Sequence, residues 1–219
     1  MRKTFDRRVI SDPVLDFVRA CQRRIPCHLG GGAALAGAYL AHRMTGDIDL
    51  FVHNEEGMRT LVGLLPAAGA DAGIVVTMQR DVGHLVRAQL TEPAGNSVEV
   101  DVVHEPIADV EAPPPAIEGI VVESLVDLRA NKLTCILSRS EPRDLVDLYF
   151  LDKAGFPPEH DLAIALQKDA GVDPGVLAWL LSQFPAEPLP KMLEPLTAGE
   201  LKAFRDKLAE RLRGASSGT

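Results

Sequence analysis

The residue pattern with the clearest chemical meaning is a pair of aspartates, Asp47 and Asp49, at the start of a short apolar run. Alternation of side chains along a strand puts both carboxylates on one face, with Ile48 and Leu50 on the other. Two like charges held this close repel each other, and such a pair typically binds a divalent cation or shares a proton. A glycine-rich turn at residues 30–32 precedes the pair and lets a phosphate approach the backbone. Together these features predict metal-assisted phosphoryl or nucleotidyl transfer.

A third carboxylate for the same site is predicted from residues 97–103. Apolar residues alternate with acids there, so Glu99 and Asp101 share one face of a predicted strand. If this strand lies beside the one carrying Asp47 and Asp49, the carboxylates come within coordinating distance of one cation pair. The alternative is that Glu99 and Asp101 form the solvated face of an edge strand. The metal site is favoured because an independent strand already carries Asp-x-Asp, and Asp101 is preferred to Glu99 as the third ligand.

The three glycines Gly30, Gly31 and Gly32 fit three kinds of turn. One is a loop that admits phosphate at a helix N-terminus, the second is a plain strand-to-helix turn, and the third is a dinucleotide-binding turn. The dinucleotide motif is not satisfied, because Leu35 occupies the position of its last glycine. An acid of that motif would also end its strand, whereas the two aspartates begin theirs. The dinucleotide interpretation is therefore discounted.

Two polar residues, Arg43 and Thr45, lie between the glycine turn and the aspartates. An arginine at this place is expected to contact nucleotide phosphates, and Thr45 is expected to cap the turn into the strand. Taken alone, each residue type is more often structural.

A second group of charged residues lies in the C-terminal half. Lys132 and Arg139 fall on about the same face of a predicted helix, together with Arg129. The next predicted helix carries Asp144 and Asp147 three residues apart. Cationic and anionic helix faces this close in sequence are expected to meet each other or a shared ligand, and Arg139 is expected to pair with the acidic helix.

The elements that must position these residues alternate between strands and helices in the first part of the chain. Strands are predicted over residues 25–29, 47–52, 73–78, 84–90 and 97–103, and helices over residues 12–23 (with Asp12 as N-cap), 33–42 and 55–68. After a proline-rich connection at residues 105–118, helices are predicted over residues 124–137, 140–155, 159–169, 174–184 and 197–213. This order predicts an α/β core over residues 1–118, a helical domain over residues 119–213 that completes the active-site cleft, and a disordered tail over residues 214–219.

Composition limits the function classes. The formal net charge of −8 argues against a broad basic surface for nucleic acid, although a local groove for RNA is compatible with it. Cys21, Cys27 and Cys135 lack metal-ligand spacing and are expected to be small buried hydrophobes in a reducing cytoplasm. No apolar run reaches the roughly 18 residues that span a membrane, so no membrane partner is expected, and the cysteine usage favours a cytoplasmic location.

The order of these motifs is more specific than any one of them. Taken in order, the motifs resemble those of the AbiEii/AbiGii (MenT-like) nucleotidyltransferases. They are Gly-Gly-x-Ala-Leu, Arg-x-Thr-x-Asp-Ile-Asp-Leu-Phe, a hydrophobic strand with Asp, and a helix with Lys and Arg followed by Arg-Asp-x-x-Asp-Leu. This family includes toxins of type IV toxin–antitoxin pairs. The resemblance covers roughly residues 25–152 and implies a polymerase-β-like α/β core, with a mixed sheet flanked by helices, and an α-helical C-terminal half.

The resemblance implies roles for Gly31, Gly32, Asp47, Asp49, Lys132 and Asp144, and the residue patterns described above add the other members of the expected site. The catalytic set is expected to be Asp47, Asp49, Asp101, Lys132 and Asp144, with the first three as metal ligands. The nucleotide is expected to contact Gly30, Gly31, Gly32, Arg43, Thr45, Lys132 and Arg139. One departure matters: the family often has a serine or threonine after its loop glycine, whereas Ala33 and Ala34 offer no hydroxyl to a phosphate.

The resulting functional hypothesis is transfer of a nucleoside monophosphate from an NTP to a hydroxyl acceptor, with Mg²⁺ or Mn²⁺ as cofactor. The expected acceptor is a tRNA-like RNA 3′ end, and a cognate antitoxin is the expected protein partner. Two alternatives stay open at this point. One is a small-molecule (antibiotic-type) nucleotidyltransferase, and the other is a catalytically idle nucleotide-binding relative.

Overall fold

A computed structural model of the chain describes residues 3–216 and divides it into two compact units, Met1–Ser124 and Leu125–Thr219. In the described residues the strands belong to the first unit, and the second unit is helical. This division falls a few residues after the end of the proline-rich connection at residues 105–118.

The described residues of the first unit form five strands and three helices. The helices are α1 (Asp12–Gln22), α2 (Gly31–Ala34, continued by a π-helical segment, Leu35–Leu40) and α3 (Glu55–Ala72). The strands are β1 (His28–Gly30), β2 (Asp47–Val52), β3 (Val75–Asp81), β4 (Leu85–Thr91) and β5 (Ser97–His104). The predicted strand at residues 47–52 thus has the same bounds as β2.

The five strands form one mixed sheet with the order β1-β2-β5-β4-β3. Strands β2 and β5 run parallel, and the other neighbours run antiparallel. Ile48, Leu50 and Val52 alternate with less buried residues along β2, so one face of the sheet is apolar and packs against α3. This architecture confirms the mixed sheet flanked by helices, and it leaves the opposite face of β2 and β5 for polar side chains.

Several helix ends differ from their predicted positions for local reasons. Helix α1 has Ser11, not Asp12, as its N-cap residue. Helix α3 continues past Gly69 to Ala72, because Gly69 is buried and Gly73, with φ 69°, provides the left-handed residue that ends the helix. Helix α2 begins at Gly31 rather than at residue 33, and its π-helical continuation ends before Ala41, which has φ 55°.

Up to residue 216, where the described part of the chain ends, the second unit forms five α-helices and one short 3₁₀ turn. These are α4 (Leu125–Ser138), α5 (Pro142–Lys153), the 3₁₀ turn Pro158–Asp161, α6 (Leu162–Lys168), α7 (Pro174–Gln183) and α8 (Ala198–Ser216). Leucines of four of these helices fill its core, namely Leu128, Leu133, Leu145, Leu148, Leu177, Leu201 and Leu208. Helix α8 continues through Ser216, so the expected disordered tail is helical over residues 214–216, and residues 217–219 lie outside the described residues.

The helices of residues 3–216 include none with the length and apolar character required to cross a bilayer. Two of the three thiols are fully covered by the core, Cys21 and Cys27. Burial raises the pKa of each of these thiols to about 12. A thiol with such a pKa is protonated and inert near neutrality, so both cysteines act as small apolar residues.

Candidate active site

The polar face of the sheet gathers four carboxylates from β2 and β5. The parallel register pairs Asp49 with Asp101 and Asp47 with Glu99. Neighbouring strands lie about 4.8 Å apart, so register partners place their side chains side by side on the same face. We call this surface, defined by Asp47, Asp49, Glu99 and Asp101, the acidic face.

An arginine of β4 lies across the acidic face. Arg87 is the register partner of Asp101, and its Nε and Nη2 atoms each donate to a carboxylate oxygen of Asp101 at 2.7 Å. Its Nη1 atom lies 3.1 Å from Glu99. The pKa of Arg87 is raised, mainly by the hydrogen bond to Asp101 and further by the charges of Glu99 and Asp47. Arg87 therefore neutralises part of the acidic face and fixes the carboxylate of Asp101.

The chemistry of the acidic face fits a divalent cation. Its donors are carboxylate oxygens, which Mg²⁺ and Mn²⁺ prefer, and they come from adjacent backbone positions that the sheet holds rigidly. The side chain of Asp101 is 7% exposed, whereas that of Glu99 is 41% exposed. Asp101 is also the register partner of Asp49, so we retain Asp101 as the preferred third ligand.

The glycine turn lies directly against this site. A Cβ atom added at Gly31 would overlap the carboxylate oxygen of Asp49 and lie 2.8 Å from its Cγ atom. Gly30 is the register partner of Asp49, and a Cβ there would lie 2.5 Å from the ring of Phe51. Glycine is thus required because the backbone at the start of α2 approaches the carboxylate of Asp49 more closely than any side chain permits.

The side chain of Arg43 lies under the turn rather than on an open surface. Arg43 is 2% exposed, and its Nη2 atom lies 2.7 Å from the position of a Cβ on Gly32. Its Nη1 atom donates to the carbonyl oxygen of Met44 at 3.0 Å. This burial favours a role in which Arg43 supports the turn and adds positive charge beneath it. Thr45 is half-buried in the segment that leads into β2.

The Gly31→Ala variant is expected to lose transfer activity on the order of 100-fold, because the new methyl group displaces the carboxylate of Asp49 from its position. The residue also has φ 60°, which adds strain for any residue with a Cβ. Gly63→Ala is the matched control, since Gly63 lies in α3 with nothing within 4 Å of an added Cβ. The measurement is steady-state nucleotidyl transfer by both variants, and equal activity of the two would contradict the close approach.

The charged residues of the second unit form a buried cluster of their own. The Nζ atom of Lys132 lies 2.7 Å from Asp147 and 3.1 Å from Asp144, and these three side chains are between 0 and 5% exposed. Arg139 donates to both carboxylate oxygens of Asp144, at 2.7 and 2.9 Å. These contacts confirm the expected pairing of Arg139 with the acidic helix. We call Lys132, Arg139, Asp144 and Asp147 the lysine cluster.

The titration of Asp144 reflects this arrangement. Burial raises the pKa of the Asp144 carboxyl, but the charge of Lys132 and the hydrogen bond from Arg139 outweigh burial and lower that pKa below its ordinary value of 3.8. The lysine cluster thus keeps a fully buried carboxylate ionised at neutral pH. Both α4 and α5 contribute to the cluster, so it connects the two helices.

Arg87 was not among the predicted site residues, although an arginine in a strand that alternates with apolar residues is a signal for a cross-strand ion pair. Lys132 was predicted to contact the nucleotide, and in the structure its Nζ atom lies between Asp144 and Asp147. The structure brings Asp47, Asp49, Asp101 and the glycine turn together in the first unit, and brings Lys132, Arg139 and Asp144 together in the second.

Comparisons with known proteins agree with this geometry. The sequence profile of the family described as nucleotidyl transferase AbiEii toxin, type IV TA system, matches residues 19–215. A Helicobacter pylori protein solved as a candidate nucleotidyltransferase superposes with a TM-score of 0.62 at 19% identity, over 93% of each chain. MenT4, a nucleotidyltransferase toxin of Mycobacterium tuberculosis, gives 0.57 at 15% identity, over 91% of this chain and 81% of its own. No curated protein sequence matches significantly.

Proposed function

This chain belongs to the AbiEii family of nucleotidyl transferase toxins, and we propose that it transfers a nucleoside monophosphate from an NTP to the 3′-terminal hydroxyl of a tRNA-like RNA. The phosphorus–oxygen bond between the α- and β-phosphates breaks, a bond to the acceptor oxygen forms, and pyrophosphate leaves. The observation that carries this proposal is the acidic face, with a glycine turn against it. We place the reaction in the cytoplasm, where a cognate antitoxin would restrain it.

Within this proposal, Asp47, Asp49 and Asp101 hold the divalent cation, Mg²⁺ or Mn²⁺. The bound cation supplies positive charge for the triphosphate and for the acceptor oxygen. The rigid pairing of β2 with β5 fixes the three carboxylates before substrate arrives, so little reorganisation is needed during the reaction.

The glycine turn is the proposed contact surface for the triphosphate. Residues at the start of α2 expose backbone N–H groups, and Gly31 and Gly32 carry no side chain that would keep a phosphate away. Arg43, buried beneath Gly32, adds positive charge at the same place. Ala33 and Ala34 are fully buried and carry no hydroxyl, so in this proposal the backbone of the turn contacts the phosphate and Arg43 adds positive charge beneath it.

The test of this proposal is incubation of the purified protein with each labelled NTP, Mg²⁺ and total RNA, followed by separation of the products. Labelled RNA whose label is removed by a 3′ exonuclease supports the proposed acceptor. Pyrophosphate release and a labelled small molecule, seen only when a cell extract replaces RNA, would instead identify a small-molecule acceptor. An absence of any labelled product with every NTP would contradict nucleotidyl transfer.

Induced alone in a bacterial host, the protein is expected to slow growth, whereas the Asp47→Ala/Asp49→Ala variant is not. Toxicity by catalysis requires the carboxylates, so the double variant separates it from the burden of expression. The measurement is the growth rate after induction, with equal amounts of soluble protein verified for both. Growth arrest by the double variant to the same degree would mean that the protein acts by another route.

A further inference from the structure

A second cluster of metal-binding side chains lies in the first unit, outside the acidic face. His28, His53 and Asp109 each offer one ligand atom, and these atoms all lie within 4.8 Å of one another. His28 is 6% exposed, and the side chains of His53 and Asp109 are 39% and 20% exposed. We call these three residues the histidine cluster. It combines a buried ligand with two that a metal ion can reach from solvent.

We propose that the histidine cluster binds a divalent transition-metal ion of the zinc class, which fastens the proline-rich connection at residues 105–118 to the sheet. Two imidazoles and one carboxylate are ligands typical of zinc, whereas Mg²⁺ prefers oxygen ligands alone. Three protein ligands also leave a fourth position for water, as in zinc sites that are accessible to solvent.

The sheet fixes both histidines. His28 lies in β1 opposite Phe51, and its ring stacks on that of Phe51 with centroids 5.5 Å apart and planes 16° from parallel. His53 directly follows β2 on the same face as Phe51, and its ring centroid lies 5.5 Å from that of His28. Two imidazoles are thus held at fixed positions, and Asp109 is supplied by the connection.

The hydrogen bonds of His53 point to a cation between His53 and Asp109. Its Nδ1 atom lies 3.0 Å from the carbonyl oxygen of Glu105, which can only accept, so Nδ1 carries the hydrogen. In the neutral ring, the Nε2 atom then presents a lone pair to a carboxylate oxygen of Asp109 at 3.3 Å. A metal ion between the two atoms would accept a lone pair from each of them. A histidine that donates its second nitrogen to a backbone carbonyl has the arrangement typical of metal-ligating histidines.

The distance between these two atoms also suits a metal ion. Metal–ligand bonds of about 2.0–2.2 Å in a tetrahedral zinc site place ligand atoms roughly 3.4 Å apart. The observed 3.3 Å between His53 and Asp109 matches one edge of such a tetrahedron. The ligand atom of His28 lies within 4.8 Å of the other two ligand atoms. A small rotation of the His28 ring would place the three ligand atoms at three vertices of the tetrahedron.

The histidine cluster is separate from the acidic face. His53 follows Asp49 by four residues, roughly 13 Å along the strand, and His28, the register partner of Phe51, lies two residues or roughly 7 Å from the level of Asp49. The two cations of a nucleotidyl-transfer centre lie about 3.5–4 Å apart, so the histidine cluster cannot supply one of that pair. The histidine cluster is therefore proposed as an additional metal site, independent of the proposed reaction.

The experiment is a titration of the chelator-stripped protein with Zn²⁺ in competition with a chromophoric zinc indicator, followed by Co²⁺ substitution and visible spectroscopy. The wild-type protein is compared with the variants His53→Ala and Asp109→Asn. Both substitutions change accessible ligands and leave the buried His28 in place. His160→Ala is the matched control, because His160 is an exposed histidine of the 3₁₀ turn Pro158–Asp161. The Asp47→Asn/Asp49→Asn variant separates the acidic face from the cluster, and circular dichroism verifies folding of each variant.

The expected result is one Zn²⁺ bound per wild-type chain, with the intense visible bands of four-coordinate Co²⁺. Affinity should fall on the order of 100-fold or more in His53→Ala and Asp109→Asn, and should be unchanged in His160→Ala and in Asp47→Asn/Asp49→Asn. Equal affinity of wild type and both ligand variants would overturn the proposal. Binding lost only in Asp47→Asn/Asp49→Asn would overturn it equally, by assigning the zinc to the acidic face.

Discussion

Replacing Asp49 with asparagine is expected to lower nucleotidyl transfer by at least about a thousandfold while the protein stays folded. Asp49 occupies the centre of the site: it is the register partner of both Gly30 and Asp101, and its carboxylate touches Gly31. An amide in its place removes one formal charge from the proposed cation site without changing the shape of the side chain. Losing several kcal/mol of transition-state stabilisation corresponds to a rate loss on the order of 10³-fold.

The same substitution is expected to keep or raise the free energy of unfolding, by up to about 1 kcal/mol, because it relieves repulsion among the carboxylates of the acidic face. Transfer is measured at saturating NTP and Mg²⁺, and stability by urea denaturation. Asp81→Asn is the control, since it makes the same chemical change at an exposed residue of β3. If Asp49→Asn transfers nucleotide at the same rate as Asp81→Asn, then Asp49 has no role in the reaction.

The same assay separates the two candidates for the third ligand. Asp101→Asn should lose transfer nearly as strongly as Asp49→Asn, whereas Glu99→Gln should retain most of it. Asp101→Asn also weakens the contact with Arg87, so its stability is measured alongside its activity. A larger loss in Glu99→Gln than in Asp101→Asn would assign the ligand to Glu99.

The parts of the site that sequence predicts best are those defined by local patterns. Asp47–Val52 is a strand because polar and apolar residues alternate there, between Gly46 and a helix capped by Asn54. That alternation already places Asp47 and Asp49 on one face. The glycine turn is equally local, since its role depends on the absence of side chains next to the following strand.

The parts that sequence does not predict depend on which strands pair and in what register. Arg87 meets Asp101 because β4 pairs with β5 in one particular register, which is set by the whole sheet. The histidine cluster combines β1, the end of β2 and a proline-rich connection, and no spacing in the sequence brings these together. Likewise, Gly69 and Gly73 are equally plausible helix ends until Gly69 is seen to be buried against Ile74.

Lys132→Ala is expected to destabilise the second unit by about 3–5 kcal/mol, far more than Arg139→Ala, because it leaves two buried carboxylates without their shared cation. Lys132 bridges Asp144 and Asp147, whereas Arg139 contacts only the former and has a side chain that is 39% exposed. Nucleotidyl transfer should fall accordingly. The measurement is urea denaturation of both variants, and equal stability would contradict the central place of Lys132 in the lysine cluster.

A second variant separates this structural role from the nucleotide contact that the family resemblance implies for Lys132. In Lys132→Ala/Asp147→Asn, one buried charge is neutralised and Asp144 keeps Arg139, so most of the lost stability should return. If Lys132 positions α4 and α5, transfer returns with it. A double variant as stable as wild type that still lacks transfer would instead assign Lys132 to the nucleotide.

The dependence on pH provides an independent measurement of the lysine cluster. Because the pKa of Asp144 is lowered in the folded protein, its ion pairs contribute stability above its ordinary value of 3.8, and that contribution is lost as the pH falls through the lower folded value. In Lys132→Ala, Asp144 keeps its contact with Arg139, but the two buried carboxylates have lost their shared cation, and acid reduces the resulting excess of negative charge. The stability gap between wild type and Lys132→Ala should therefore be full at neutral pH and narrow in acid. A gap independent of pH would mean that lost packing, and not lost charge, causes the destabilisation.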